Sequence, residues 1–110
     1  MKKGMIKVSV FYPNADGKKF DMEYYCSKHA MLVTGLLGDA LKGASIESGL
    51  GSGAPGSPVP FVAIANMYFN SMEEFGQAFG ASADKIMGDI PNFTNIEGIT
   101  QISEVMVWVE

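Results

Sequence analysis

Ten residues in the middle of the chain, GSGAPGSPVP at 51–60, cannot sustain a helix or a strand. Its glycines cost conformational entropy in any regular element, and its prolines remove backbone donors. The stretch reads as a flexible loop, and it divides the chain into two halves of similar length. Each half must then build its own elements, and both show the same order: strand, helix, strand.

In the first half, MIKVSVFYP (residues 5–13) alternates. Ile6, Val8 and Val10 point one way; Met5, Lys7, Ser9 and Phe11 point the other; Pro13 and the following NADG end the strand. Residues 1–4 are expected to be loose. A helix is predicted over 21–38, with Asp21 as N-cap and Phe20 and Tyr25 as a hydrophobic staple. Stepping 100° per residue puts Met22, Tyr25, Cys26, His29, Val33, Leu36 and Leu37 on one side. Residues 40–50 form a weaker strand. In the second half, FVAIANMYF (61–69) is a strand apolar on both faces. Ser71 and Glu74 form the capping box of a second helix with the stripe Met72, Phe75, Gly76, Phe79, Ala83, Ile86 and Met87. DIPNFTNIEG is a loop, and ITQISEVMVWV (99–109) is the last strand.

The halves also match residue by residue. Positions 22, 23, 25 and 29 pair with 72, 73, 75 and 79 as Met/Met, Glu/Glu, Tyr/Phe and His/Phe. A doubled β-α-β unit with right-handed crossovers is the ferredoxin-like α+β plan: a four-stranded antiparallel sheet with two helices on one face. At 110 residues, 47% of them hydrophobic, the chain can fill the core of one such domain, residues 1–110. The last two strands carry large apolar groups on both faces. A sheet with one solvated face should alternate with polar residues there, so a second copy, most simply in a twofold homodimer, is expected to cover the far face.

Charge and cysteine content narrow the function classes. The net charge is −4 with no basic cluster, which argues against nucleic acid and anionic membrane surfaces as partners. Cys26 is the single cysteine, so no intramolecular disulfide can form and the chain reads as cytoplasmic. MKKGMIKVSVF is basic, but its apolar run is short and interrupted by Lys7, unlike a signal peptide. No run approaches the length of a transmembrane helix.

The only histidine, His29, sits in the middle of the first helix's apolar stripe, where its counterpart is Phe79. A buried imidazole costs desolvation unless it is used or satisfied. As a general base, it would have its pKa lowered by burial towards the proton-accepting form, with Tyr25 one turn away to orient it or to hold a substrate carbonyl. Alternatively it is a core histidine satisfied by backbone and tyrosine. Cys26 shares the stripe, but an unpaired cysteine on an apolar face usually packs. One His and one Cys leave a metal short of ligands: an iron or zinc site would need Glu104 or Asp89 to converge from far away, so no metal is expected. Ser9, Tyr12, Asn66, Tyr68, Glu104 and Trp108 are candidates to line a cavity, with Asn66 either holding a substrate oxygen or pinning a neighbouring strand. The glycines of 51–60 lack the lysine and the following helix of a phosphate loop, and no nicotinamide, flavin or haem pattern is present.

YYCSKHAML in the first helix, the Gly/Pro-rich loop, and DIPNFTNIEGITQISEV leading into the last strand together resemble the EthD-like proteins of the dimeric α+β barrel group. The likeness runs from about residue 5 to residue 108. It rests on the Tyr-x-x-x-His spacing of Tyr25 and His29 and on Pro-Asn-Phe-Thr from Pro91 to Thr94. The family often places a proline one or two positions after the histidine; here the residues are Ala30 and Met31. The resemblance implies a pocket between sheet and helices, Phe93 plugging one end, and a small aromatic or cyclic carbonyl substrate. It points to a cofactor-free oxidoreductase of monooxygenase type with His29 as base. An isomerase, cyclase or decarboxylase using the same base is a second reading, and a non-catalytic accessory or small-molecule-binding dimer is a third.

Overall fold

The computed structural model describes residues 2–110. Strand β1 (Ile6–Pro13) leads to a first helix in three continuous parts: α1 (Met22–Tyr24), a π-helical turn (Tyr25–His29) and α2 (Ala30–Leu37). A 3₁₀ turn (Gly38–Ala40) precedes β2 (Gly43–Ser48); β3 (Phe61–Phe69), α3 (Met72–Asp89), a 3₁₀ turn (Ile90–Asn92) and β4 (Ile99–Glu104) complete the order. The sheet is antiparallel throughout, with strand order β2-β3-β1-β4, which is the ferredoxin-like arrangement predicted from the doubled β-α-β pattern.

The helix starts follow from their caps. The Asp21 carboxylate accepts from the Tyr24 N–H at 3.0 Å, and the Phe20 and Tyr25 rings lie 5.1 Å apart in the staple position. The Ser71 hydroxyl accepts from the Glu74 N–H at 3.1 Å and in turn lies 3.3 Å from the Glu74 carboxylate. Gly38, at φ +56°, ends α2 in a conformation that side chains with a Cβ rarely adopt.

Register decides which face the helices cover. Val8 pairs with Met67, Val10 with Ala65 and Tyr12 with Ala63, and all of these turn towards the helices. Two buried clusters form there, one around Tyr12, Tyr25, Phe93 and Ile96, the other around Val8, Leu37, Phe69 and Ile86. The opposite face carries Lys7, Ser9, Phe11, Ile64, Asn66 and Tyr68, since successive side chains alternate.

The last strand is shorter than the predicted 99–109. It stops at Glu104 because β1 begins at Ile6, its partner in the ladder. Two further backbone bonds, Gly4 N–H to Val105 C=O at 2.7 Å and Val105 N–H to Met5 C=O at 2.8 Å, exhaust the pairing. Among the described residues no strand pairs with 106–109, and all four are exposed. Of the segment 1–4 expected to be loose, Met1 lies outside the described residues.

Candidate functional site

The π-helical turn sets the site. The Ala30 N–H reaches back to the Tyr25 carbonyl, five residues earlier. The wider turn brings residues four apart into line: the Tyr25 and His29 rings stack at 5.5 Å with planes 26° apart. It also swings the residue after Tyr25 away. Cys26 is exposed, not on the buried stripe where a uniform 100° step placed it. A Cys26–His29 pair is therefore not formed.

His29 is buried, with its side chain 8% exposed, and Phe93 lies 4.6 Å from its ring. Its Nδ1 lies 2.8 Å from Oδ2 of Asp89, the last residue of α3. The other oxygen of Asp89, Oδ1, accepts from the Tyr24 hydroxyl at 2.6 Å and from Asn92 Nδ2 at 2.9 Å. These bonds, the Tyr24 hydroxyl foremost, hold the Asp89 carboxyl below its ordinary range, and the carboxylate in turn raises the Tyr24 phenol. An ionised carboxylate only accepts, so Nδ1 carries the hydrogen of that bond. In the neutral ring the lone pair then sits on Nε2. Among the described residues nothing hydrogen-bonds Nε2, and the atom is not sealed off.

His29 lines a cavity of about 550 Å³ between the sheet and the helices. Its walls are mainly apolar: Val8, Val10, Val33, Ile46, Ala65, Phe79 and Ile86 among them. Tyr25, stacked on His29, and Tyr12 line the same cavity. Burial raises both phenols, Tyr25 the more, so Tyr25 stays a neutral donor and cannot serve as a base near neutral pH. Glu97, Gly98 and Thr100 line the side towards β4.

The other candidates separate. Phe93 is buried and stacks on Tyr25 at 4.7 Å, forming the support behind the histidine. Asn66 borders the cavity along its strand, but its side chain is spent on the opposite face. Its Oδ1 accepts from Ser9 at 3.0 Å, and its Nδ2 donates to Ser45 and Glu47, both at 3.1 Å. It pins β1, β2 and β3 together. Tyr68 lies on that same far face, and Trp108 lies in the exposed C-terminal tail, so neither lines the cavity. Residue type alone does not reveal which face a side chain takes.

Tyr24 is a residue the sequence did not point to, and the sequence offered Asp89 only as a remote ligand for a metal, not as a partner of the imidazole. Asp89 does converge on His29 from 60 positions away. One signal was available: a carboxylate in the last turn of a helix opposes the helix dipole, and an anion kept there needs a local reason. Among the described residues no cluster of three or more His, Cys, Asp or Glu is arranged to hold a metal ion.

The EthD domain family model matches residues 15–97. A relative described as an uncharacterized 11.0 kDa protein in the thcB–thcC intergenic region of Rhodococcus erythropolis is 33% identical over 100 residues, covering 89% of this chain and 91% of its own. The crystal structure of an EthD-like protein from Ralstonia eutropha superposes with a TM-score of 0.89 at 42% identity, covering 96% of each chain. An ethyl tert-butyl ether D family protein from Bacillus halodurans gives 0.66 at 22% identity, over 93% of this chain and 99% of its own. A dimeric ferredoxin-like protein of unknown function from Thermobifida fusca shares the fold alone, with a TM-score of 0.59 at 10% identity over 94% and 93%.

Proposed function

The chain belongs to the EthD domain family, and from that footing we propose that it is a cofactor-independent oxidoreductase of monooxygenase type. Its substrate is a small aromatic or cyclic carbonyl compound held in the cavity over His29. The observation that carries the reading is the bond from His29 Nδ1 to Asp89, which leaves Nε2 as the free nitrogen of a ring that lines an apolar cavity. A base needs a free lone pair, a fixed ring and dry surroundings, and this arrangement favours all three.

In the proposed reaction Nε2 removes a proton from a phenolic O–H or from a C–H beside a carbonyl. The electron pair stays on the substrate, and the new imidazolium sits between the Asp89 carboxylate and the substrate anion. The electron-rich anion then reduces dioxygen. A methylene becomes a carbonyl, and dioxygen supplies that oxygen and the oxygen of one released water. Tyr25 donates to the substrate oxygen and Tyr12 packs beside it.

The protein works as a cytoplasmic homodimer in this reading. Its support is the far sheet face, where Ile99 is 55% exposed, together with the apolar tail, where Val107 is 77% and Val109 81% exposed. No helix among the described residues is long and apolar enough to cross a membrane.

The test is oxygen consumption over a panel of anthrones, phenols and cyclic ketones, with wild type and His29→Gln. Loss of roughly 100-fold or more in kcat for His29→Gln is expected. Undiminished turnover by His29→Gln excludes the base. Unchanged product formation without oxygen would convert the reading to an isomerase, cyclase or decarboxylase.

A further inference from the structure

On the reading that the cavity over His29 holds the substrate, we infer that the site selects an electrically neutral ligand. A phenol or cyclic ketone enters; the matching carboxylic acid, ionised near neutral pH, is turned away. The argument rests on which charges line the cavity. All eight basic residues of the chain are lysines, and none of them is among the described residues lining the cavity. Among the described residues, the only formal charge on the wall, apart from any proton on His29, is the carboxylate of Glu97. Directly behind His29 stands the Asp89 carboxylate, 2.8 Å from Nδ1.

An entering carboxylate would lose water in an apolar chamber, which is costly without a partner. The one group able to become a cation beside it is His29, and its positive form is already paired with Asp89. The newcomer would therefore sit near two like charges and share its single counter-ion. A neutral phenol meets neither penalty. Its O–H donates to the Nε2 lone pair, and tyrosine hydroxyls stand nearby. When the proton passes to Nε2, the O–H bond breaks, the N–H bond forms, and negative charge appears on the ligand only as positive charge appears on the ring. The anion is made inside the site instead of being admitted to it. Selection of this kind comes from a penalty against the wrong ligand, not from an added contact to the right one.

The test uses the intact protein labelled on the imidazole carbons and two probes of one ring system: 2-naphthol, neutral at pH 7, and 2-naphthoate. Affinity is measured by calorimetry, and occupancy of the site by the His29 resonances, which need no assignment because the chain has one histidine. Naphthol is expected to bind about tenfold more tightly or better, a difference of about 1.4 kcal/mol. Glu97→Gln, a change at an exposed position of the cavity wall, is expected to raise naphthoate affinity relative to naphthol affinity. Equal or tighter naphthoate binding that shifts His29 would overturn the charge selection while leaving the pocket assignment standing. Failure of both probes to perturb His29 would overturn the pocket assignment, and the selection with it.

Discussion

Asp89 stands at the negative end of α3, where an anion is least welcome, and is kept there by Tyr24, Asn92 and His29. Its work is positional: it fixes which ring nitrogen of His29 is free. Asp89→Asn is therefore expected to lower turnover by roughly tenfold or more, with KM little changed, and to alter the pH profile of kcat. A structural role alone would not move that profile. The same residue carries a pH-dependent share of stability. Its folded carboxyl is lower than the ordinary value of 3.8, so that share is present above pH 3.8 and is lost as pH falls through the lower folded value. Urea unfolding at graded acid pH should show a shallower decline in Asp89→Asn than in wild type. His29 and Tyr25 were legible in the sequence because both rest on local spacing. Asp89 was not, because no local pattern links it to a histidine on another helix.

The first helix shows how a local irregularity defeats a periodic reading. Its cap, staple and general apolar stripe could be read from residues 20–37, since they depend only on neighbours. The side that Cys26 faces could not, because a uniform 100° step does not hold where the chain makes a π-helical turn. That turn is braced from outside by Phe93, which arrives on the loop after α3 and packs on Tyr25 and His29. Phe93→Ala is expected to cost about 3–5 kcal/mol, as for other large-to-small changes in a packed core. Denaturant unfolding measures this, and the His29 resonances should broaden or shift in the folded variant. Pro-Asn-Phe-Thr is thus a support for the histidine as much as punctuation between elements.

For the molecule as a whole, the doubled β-α-β pattern predicted the strand order, because crossover rules leave few alternatives. Which sheet face meets the helices needed the register, and the length of β4 needed the position of its partner, Ile6. Beyond Val105 the tail has apolar side chains and no ladder, and such a segment gains most from a second copy. On the proposed homodimer, removing residues 106–110 is expected to leave a folded chain whose copies dissociate at lower dilution than those of the full-length protein. Sedimentation velocity over a concentration series measures it. Identical dissociation would mean that the far face alone holds the copies together.

The wide turn between Tyr25 and His29 also makes the chain's length part of its chemistry. Delete one residue from this stretch, and a regular helix would form with every side chain still a tolerable helix former. A π-helical turn absorbs one extra residue in the space of a helical turn, so what lies beyond the deletion would keep roughly its orientation and the fold would survive. The Tyr25 and His29 rings, then three residues apart, would lose the stack that the wide turn gives them. In the lineage of this chain, substitutions along the outer side of the helix are cheap experiments; a lost codon there would cost the histidine its stacking partner while sparing the fold.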